Sequence, residues 1–348
     1  MARTRRSGAT PARATIADIA RLAGVSPTAV SFALNDRPGI SEETRRRILD
    51  AVAELNWRPS LAARTLTGMR SDTVGLVVAR PARTLGIEPF FAQLLSGLQA
   101  RLSLDLVALH QLVVEDVATE VEVYHRWAAE QRVDGLVVLD LEIDDPRPAV
   151  LHALGLPAVV LGGTGEPGPL PAVWVDDYAA MAQVAEHLAA LGHRRVGHVG
   201  GIADYEHSVR RVAALRDASQ RLGLTVEQEQ TDYSDSASAA ATRRLLGRPV
   251  PPTAIVFDSD VAALAGLGVA SALGVRVPAD LSVVSFDDSE LARLVHPPLT
   301  ALSRDTHALG VLVADTLLAL VAGQDVPPVV QAPAPVLAPR ASTAAPRG

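Results

Sequence analysis

The stretch from Thr15 to Asn35, TIADIARLAGVSPTAVSFALN, carries two apolar stripes at helical spacing, separated by Gly24. Thr15 with Asp18 three residues later resembles a capping box, and Ser26 followed by a proline is typical of a helix start. These signals predict two short helices joined by a glycine turn, which is the spacing of a helix-turn-helix. An ordinary helical hairpin has the same pattern, so both interpretations stay open here.

A third helix is predicted after the loop that follows Asn35, because Ser41 precedes two glutamates and an apolar stripe that runs to Leu55. Trp57 and the next two residues end this unit. The segment SLAARTLTG then follows, which is amphipathic but too short to be a stable helix alone. Such a segment suits a hinge that folds on binding, or a linker whose leucine packs on the body.

From Thr73 onward, short apolar runs alternate with helical segments, and this alternation predicts parallel sheets with helices on both faces. The predicted strands are TVGLVVA, LDLVALH, VDGLVVLD, PAVVLGG, AVWVDD, RVGHVGG, the stretch Leu224 to Glu229, TAIVFDSD and LSVVSFDD. The predicted helices are 90–102, 121–131, 147–154, 178–191, 208–222, 236–246, a segment ending at 273, and 307–321. The fold class is therefore α/β, in which an all-α head and a hinge helix precede two doubly wound parallel-sheet subdomains.

The same pattern predicts where the domains begin and end. The expected divisions are a disordered arm at 1–14, a helix-turn-helix domain at 15–58, a hinge helix or linker at 59–70, a body at 71–325 and a disordered Pro/Ala-rich tail at 326–348. Within the body, the N-subdomain is expected to span about 71–170 plus 300–325, and the C-subdomain about 171–299.

Charge is distributed unevenly along the 348 residues, although the net charge of the whole chain is -7. Residues 1–70 carry 12 arginines and six acidic residues, a net charge of +6, whereas the remainder has a net charge of -13. A basic head on an acidic body is expected when one end approaches phosphates and the other does not. The three consecutive arginines at 45–47 are either phosphate contacts or a solvated basic face.

Composition limits the remaining classes of protein. The chain has no cysteine, which excludes disulfides, thiolate metal sites and cysteine nucleophiles. No segment reaches the ~18 uninterrupted apolar residues of a membrane helix, and the basic N-terminus is followed by no apolar core. We therefore expect a cytoplasmic protein that makes no membrane contact.

Polar residues follow the predicted strands of the body, at the edge where open parallel sheets bind ligands. A cleft lined by such carboxylates with an arginine suits a small polar or polyhydroxylated ligand, although each aspartate taken singly is a common helix cap. The residues concerned are Asp176, Asp177, Gly200, Gly201, Asp258, Asp260, Asp287 and Asp288.

Signatures of catalysis are missing from the sequence, which lacks HExxH, GxSxG, GxxxxGK[ST] and a complete GxGxxG after a strand. His193 and His198 have no carboxylate nearby at ligand spacing, so no metal, cofactor or catalytic residue is predicted. The competing interpretation is a ligand-binding or hydrolytic α/β protein whose head mediates protein contacts. That alternative leaves the basic head unexplained.

Over about residues 14–325 the chain resembles the LacI/GalR family of bacterial transcription regulators. The matching motifs are TIADIARLAGVSPTAVSFALN and GISEETRRRILDAVAELNWRPSLAARTL in the head, and VDDYAAMAQVAEHLAALGHRRVGHVGG, VPADLSVVSFDD and PPLTALS in the body. The resemblance implies a sequence-specific, repressor-like DNA-binding regulator that is not an enzyme. It also implies a nucleoid-associated protein with a palindromic double-stranded operator, and a homodimer with a tetramer left open. The small-molecule effector it implies is a sugar or related metabolite, bound in a type I periplasmic-binding-protein-like body.

The resemblance also assigns residues to DNA. The second helix would enter the major groove with Pro27, Thr28 and Phe32 at base-reading positions, and Leu66 of the hinge would wedge into the minor groove. Phe32 replaces an arginine that is common in the family, so apolar contact, for example with a thymine methyl, substitutes for guanine readout. The other expected DNA-binding residues are Thr15, Ser26, Ala29, Ser31, Asn35, Ala63 and Arg64.

In the body the same resemblance assigns the effector pocket to Phe90 or Phe91, Asp177, Arg211, Asp260 and Asp287. Arg211 is the strongest candidate because a guanidinium can bind hydroxyls or a carboxylate through two parallel hydrogen bonds. At two positions near this pocket the chain departs from the family pattern. Asp177 stands where the family usually has asparagine, and Ser259 stands where the family has the asparagine that precedes Asp260.

Overall fold

The structure is a computed structural model, and it describes residues 14–57, 70–80, 86 and 88–347. The chain forms two compact units, the first ending at Ser71 and the second beginning at Asp72. Within the described ranges, none of the helices has both the length and the apolar character needed to cross a bilayer. Apart from their last residues, Ala14 and Arg70, the predicted arm and hinge lie outside the described residues, and so do Ala63, Arg64 and Leu66.

Three helices form the first unit: α1 (Ile16–Ala23), α2 (Pro27–Leu34) and α3 (Glu42–Glu54). The predicted capping box is confirmed, since Thr15 and Asp18 each accept a hydrogen bond from the other's backbone N–H. Gly24 ends α1 with φ +64, a left-handed conformation that glycine adopts without steric cost. Side chains from all three helices, including the fully buried Ile19, Val30 and Ile48, close one small core.

The first half of the second unit is a six-stranded parallel sheet in the order β11-β5-β4-β3-β1-β2. Helices α4 and α12 cover one face of this sheet, and α5 and α6 cover the other. Its strands are β1 (Thr73–Ala79), β2 (Ala108–Val114), β3 (Gly135–Leu139), β4 (Ala158–Leu161), β5 (Ala172–Trp174) and β11 (Val329–Gln331). Its helices are α4 (Pro89–Leu102), α5 (Val117–Ala129), α6 (Arg147–Leu154) and α12 (Thr306–Val321).

The second half has the same architecture, in the order β12-β10-β9-β8-β6-β7, with only β12 antiparallel. Its strands are β6 (Arg195–Gly200), β7 (Thr225–Gln230), β8 (Ala254–Phe257), β9 (Ser282–Ser285), β10 (Thr300–Ser303) and β12 (Val336–Ala338). Its helices are α7 (Asp177–Ala190), α8 (Glu206–Leu222), α9 (Asp235–Leu246), α10 (Asp260–Ala272) and α11 (Glu290–Leu294). Two helix-covered parallel sheets confirm the predicted fold class.

The predicted disordered tail is wrong, and so are the exact limits of the two subdomains. Strand β11 joins the first sheet and β12 the second, and Ser342 is fully buried among hydrogen bonds to Val283 and Thr300. Strand pairing also places β5 in the first half and β10 in the second. The chain therefore crosses between the halves three times, and composition failed to reveal the third crossing because its contacts are with residues distant in sequence.

One predicted strand is displaced. LDLVALH was expected to form it, but residues 103–105 make a 3-10 turn and Leu106 has φ +56, so β2 begins at Ala108. Leu104 and Leu106 are 76% and 86% exposed, which shows that their apolar character does not mark a buried strand.

Helices α4 and α12 approach each other closely at two glycines. A Cβ atom on Gly97 would lie 2.0 Å from the carbonyl oxygen of His307, and one on Gly310 would lie 2.3 Å from that of Leu94. Because no side chain fits there, the two backbones pack directly and fix α12 on the first sheet.

Candidate functional site

The surface of α2 in the first unit presents the residues expected to contact DNA. Ser26 caps the helix by accepting a hydrogen bond from Ala29 N at 3.2 Å, and Ser26, Pro27 and Thr28 are exposed. The opposite side of α2 is buried, so one face is free to approach a partner. An exposed helix start also leaves backbone N–H groups directed outward, which favours contact with phosphates.

The C-terminal half of α2 is partly covered by its own loop. Phe32 is half-buried, and its ring lies against Gly39, where a Cβ atom would be 3.3 Å from Phe32 Cε2. Asn35 donates from Nδ2 to the carbonyl of Ser31 at 2.8 Å. Asn35 therefore supports the end of the helix, and Phe32 keeps only part of its ring available for a base.

Two of the three consecutive arginines of α3 make contacts within the head. Arg45 binds the carboxylate of Asp36 at 2.5 Å, and Arg47 donates to the carbonyl of Ala23 at 2.9 Å. Arg46 is exposed. Arg45 and Arg47 therefore hold the loop and the helices together, although Arg47 is exposed like Arg46.

In the second unit an open cavity lies between the two halves at the carboxyl ends of their strands, and the space among its lining residues, open solvent included, is about 800 Å³. We call it the cleft cavity. Its polar lining includes six carboxyl groups and three guanidinium groups, together with a histidine and a tyrosine. These residues are Arg80, Glu88, Asp140, Asp177, Glu206, His207, Arg211, Tyr233, Asp258, Asp287 and Arg304.

Arg211 lies at the floor of the cleft cavity and is 5% exposed. Its guanidinium donates to Asp177 at 2.9 and 3.1 Å and lies 3.5 Å from the Asp258 carboxylate. The ring of Phe286 stacks below it, with the centroid 3.6 Å from Cζ. Burial alone would raise the pKa of Asp258, but His198 and Arg211 hold that pKa well below its ordinary value. Arg211 is thus a buried, ion-paired side chain in the lining of the cleft cavity.

Asp287 and Phe90, two other predicted residues, meet at Arg304. Arg304 donates to Asp287 at 2.7 Å and lies over the ring of Phe90, 4.9 Å from its centroid. Both predicted residues line the cleft cavity. Phe91 is 2% exposed and belongs to the core of the first half.

Asp260 lies in a small side pocket bounded also by Phe90, Asp287 and Arg304. It is 1% exposed, and its Oδ2 has no hydrogen-bond partner in the described part of the chain. Burial, and next the charge of Asp287, raises the pKa of Asp260 to about 6. Asp176, by contrast, caps α7 by accepting from Ala179 N at 3.0 Å.

Sequence reasoning missed Arg80, His207 and Tyr233, which line the cleft cavity, and Tyr205, which lines a smaller pocket beside it. Arg80 directly follows β1, so its place after a strand was a usable signal. Tyr205 and Tyr233 come from loops of the second half and carry no local signal. His207 hydrogen-bonds Tyr233 at 2.9 Å, and burial lowers the pKa of His207 well below its ordinary value, which keeps the imidazole neutral.

Comparison with known proteins identifies both units. The family profile described as "Bacterial regulatory proteins, lacI family" matches residues 15–60, and the profile "Periplasmic binding protein-like domain" matches residues 185–343. The HTH-type transcriptional regulator CelR of Thermobifida fusca is 34% identical over 325 residues, which cover 91% of this chain and 94% of CelR. The chain belongs to the LacI family.

Solved structures of LacI-family proteins share the whole architecture. A structure described as the transcriptional regulator CelR-cellobiose complex is 30% identical, covers 95% of this chain and 100% of that one, and has a TM-score of 0.72. The lac repressor dimer bound to operator and the anti-inducer ONPF is 28% identical, with a TM-score of 0.80 over 96% of this chain and 100% of that one.

These relatives are transcription regulators and not enzymes. The LacI-family chain described here is accordingly a DNA-binding, helix-turn-helix transcription regulator of the repressor type, with an effector-binding domain in its second unit. In the described ranges no group of three or more His, Asp or Glu side chains is arranged to hold a metal ion.

Proposed function

We propose that this regulator binds a palindromic operator as a homodimer and that a neutral polyhydroxylated ligand, of the size of a disaccharide or smaller, controls it from the cleft cavity. The observation that carries the ligand class is the pairing of charges. Each cavity arginine already contacts carboxylates: Arg80 contacts Glu88 and Asp140, Arg211 contacts Asp177 and Asp258, and Arg304 contacts Asp287.

Six carboxyl groups around three guanidinium groups disfavour an anionic ligand, because none of these cations is left to neutralise it. Hydroxyl groups, in contrast, are neutral and can donate to carboxylate oxygens, so a ligand that carries them brings no unpaired charge into the cavity. Buried Glu206 Oε2 and Asp260 Oδ2, which lack hydrogen-bond partners among the described residues, are acceptors for such donors. The CelR-cellobiose relative makes cellobiose the first probe to use.

The effector residues of this proposal are Phe90, Asp177, Arg211, Asp260 and Asp287, with Phe91 supporting Phe90 by an edge-to-face contact whose ring centroids are 5.4 Å apart.

Cellobiose and its acid, cellobionate, differ by oxidation of the reducing-end sugar and test the charge argument. Cellobiose at ~100 times its dissociation constant should add about 2.7 kcal/mol to the stability in a thermal-shift assay. Stabilisation by cellobionate or another anionic sugar, with none by neutral sugars, would contradict the proposal.

A matched pair of variants locates the binding site. Asp287→Asn should weaken sugar binding about tenfold, because a charged hydrogen-bond acceptor is lost. Asp235→Asn, at an exposed position of α9, should leave sugar binding unchanged. Equal effects of the two variants would place the ligand elsewhere.

On the DNA side, we propose that the major-groove surface is formed by α2 and the start of α1. Its residues are Thr15, Ser26, Pro27, Thr28, Ala29, Ser31, Phe32 and Asn35. We also propose that the minor groove is contacted by Ala63, Arg64 and Leu66. Fluorescence anisotropy with a palindrome from the regulator's own promoter region should give an affinity at least ~10³-fold higher than for a scrambled duplex at the same salt. Equal affinities would remove sequence-specific binding from the proposal.

The assembly proposal rests on half-site symmetry, which a twofold dimer matches. Light scattering on the free protein should give twice the 36.5 kDa mass of the chain. Four times that mass would identify a tetramer, and the monomer mass would contradict both states. Because the proposed partner is operator DNA, we propose that the protein acts in the cytoplasm, at the chromosome.

A further inference from the structure

Arg80 lies in a box of aromatic rings formed by Phe91, Tyr205 and Tyr233. Its Cζ atom is 5.1, 5.2 and 4.8 Å from the three ring centroids. These distances fall within the ~6 Å range of cation–π attraction. We call these three rings the aromatic box.

Two carboxylates complete the surroundings of this cation. Both oxygens of Glu88 lie 3.2 Å from Arg80 Nη1, and Asp140 Oδ2 lies 2.8 Å from Arg80 Nε. Arg80 and Glu88 are 5% and 7% exposed, so water screens these interactions little. An aromatic box with carboxylates is the arrangement by which proteins bind organic cations.

The members of this site come from both halves of the second unit. Arg80, Glu88, Phe91 and Asp140 belong to the first half, whereas Tyr205 and Tyr233 belong to the second. Opening the cleft would therefore take Arg80 away from two of its three rings. The carboxylates would stay with Arg80, since they belong to the same half.

A backbone contact beside the aromatic box joins the same two halves. Ile143 N donates to the carbonyl of Asp204 at 2.9 Å, and Glu206 N donates to that of Leu141 at 2.8 Å. This antiparallel pair fixes Tyr205 opposite Arg80. Arg210 adds a third link by donating to the carbonyl of Thr164 at 3.1 Å.

We propose that Arg80 is an internal ligand: its guanidinium occupies a cation site shared by both halves and holds the cleft closed in the absence of an effector. The closed state of this chain is therefore stabilised by one of its own side chains. An effector that binds the cleft cavity acts on a protein that is already largely closed. The significance of closure for gene regulation rests on the proposed function, but the cation site itself does not.

The absence of cysteine makes closure directly measurable. One spin label on each half, at the exposed positions Ala149 and Arg216 after their replacement by cysteine, reports the distance across the cleft by pulsed electron paramagnetic resonance. The protein without effector should give one predominant short distance. Arg80→Met keeps the side chain's length without its charge, and it should lower the closed-to-open ratio about tenfold or more.

Arg101→Met is the matched control. Arg101 also contacts two carboxylates, Asp105 and Asp315, but both belong to the first half. Its replacement should leave the distance distribution unchanged. If Arg80→Met and Arg101→Met give the same distribution as the parent protein, Arg80 does not hold the cleft closed.

Removing Arg80 alone leaves buried carboxylates without their cation, so a second approach keeps the proposal testable if that variant folds poorly. Tyr205→Leu with Tyr233→Leu removes the second half's share of the aromatic box and leaves the ion pairs of Arg80 in place. This double variant should open the cleft as Arg80→Met does. A closed distribution in a folded double variant would overturn the proposal.

Chemical rescue tests the identity of the site most directly. In Arg80→Ala, millimolar methylguanidinium should restore the short distance, because it supplies the missing cation to the aromatic box and the two carboxylates. Methylurea has nearly the same shape without the charge and should not restore it. Equal effects of the two compounds, or none from methylguanidinium on the folded variant, would argue against a cation site. These measurements contain neither DNA nor sugar, so failure of the operator or effector proposal leaves their outcome intact.

Discussion

The guanidinium of Arg211 contacts two buried carboxylates and an aromatic ring, so its removal affects more than one contact. Arg211→Met leaves Asp177 without its cation and Asp258 with His198 as its remaining partner, in a site of low dielectric constant. We expect the free energy of unfolding, measured by urea denaturation, to fall by about 3–5 kcal/mol. Arg101→Met, whose ion pairs are partly solvated, should cost at most about 1 kcal/mol. Similar losses would mean that the Arg211 pairs are not effectively buried.

Glu120 gives the first half a dependence on pH. It is fully buried beside Arg147 and Tyr124, and burial, opposed in part by the Arg147 charge, raises its pKa to about 7. A carboxyl group whose pKa is higher in the folded state adds stability below its ordinary pKa of 4.5, and this contribution is lost as the pH rises through about 7.

We therefore expect the unfolding free energy of the parent protein, relative to that of Glu120→Gln, to fall by on the order of 2 kcal/mol between pH 5 and pH 8. The measurement is a series of urea titrations across that pH range. Glu130→Gln, at a half-exposed ion pair, is the control for the general effect of replacing a glutamate by glutamine. A difference between the parent and Glu120→Gln that stays constant across the pH range would refute the raised pKa.

The residue scale also shows what sequence could reveal of the cavity. Asp177 and Asp287 were predictable because the end of a strand in an open parallel sheet is a known place for ligands. Tyr205 and Tyr233 were not, since they contact Arg80 only after the two halves come together. Asp260 was also singled out by its place after a strand, but its unpartnered oxygen is a property of the folded site.

At the scale of elements, the packing of α4 on α12 depends on glycine at the point of contact. Gly310→Ala would place Cβ 2.3 Å from the carbonyl of Leu94, so we expect a loss of about 1–3 kcal/mol in the free energy of unfolding. Gly268→Ala, in the exposed face of α10, meets no atom within 4 Å and should stabilise by up to about 1 kcal/mol. Thermal denaturation of the two variants compares them, and stabilisation by both would contradict the close approach.

The tail segment depends on a buried hydroxyl. Ser342 donates to the carbonyl of Val283 at 2.6 Å and accepts from Thr300 N at 2.7 Å, so Ser342→Ala leaves two buried backbone groups unsatisfied. We expect this variant to lose about 1–3 kcal/mol in urea denaturation. Ser271→Ala, at an exposed position of α10, should change stability by less than about 0.5 kcal/mol. Equal stabilities would mean that the Ser342 hydroxyl adds nothing to the stability of the second half.

Helices and strands could be predicted from sequence where the pattern that specifies them lies within the element itself. The predicted helix 147–154 matches α6, and the predicted start of the last helix differs from α12 by one residue. The strand expected at LDLVALH was wrong because the left-handed turn at Leu106 overrides its apolar pattern. Strands β11 and β12 were missed because prolines around them resemble a linker, and only pairing with distant strands makes them regular.

At the scale of the whole molecule, the first unit carries a net positive charge and the second a net negative charge. Electrostatic attraction to DNA therefore belongs to the first unit, and the ligand site belongs to the second. Arg46 is exposed on α3, whereas the equally exposed Arg47 donates to the carbonyl of Ala23, so we expect Arg46→Ala to make the slope of log affinity against log salt shallower by about 1. Arg216→Ala, on the second unit, should leave the slope unchanged. Operator-binding titrations at several salt concentrations measure both, and an unchanged slope for Arg46→Ala would show that Arg46 contacts no phosphate.

The order of domains along the chain was predictable from composition and periodicity, and the relation between the two halves was not. Alternating strands and helices specify two sheets, but neither spacing nor charge indicates that Arg80 of one half contacts rings of the other. The number of crossings between the halves likewise depends on strand pairing at 329–338, which follows from three-dimensional packing.

The third crossing affects the order in which the nascent chain can fold. Strand β11 pairs with β5 across more than 150 residues of sequence, and β12 pairs with β10 directly after it. The first sheet is complete only after residue 331 has left the ribosome and the second only after residue 338, whereas the three helices of the head need nothing beyond residue 57. During synthesis the DNA-binding unit can therefore fold first, while both sheets of the sensing unit wait for the same short stretch of late-translated chain.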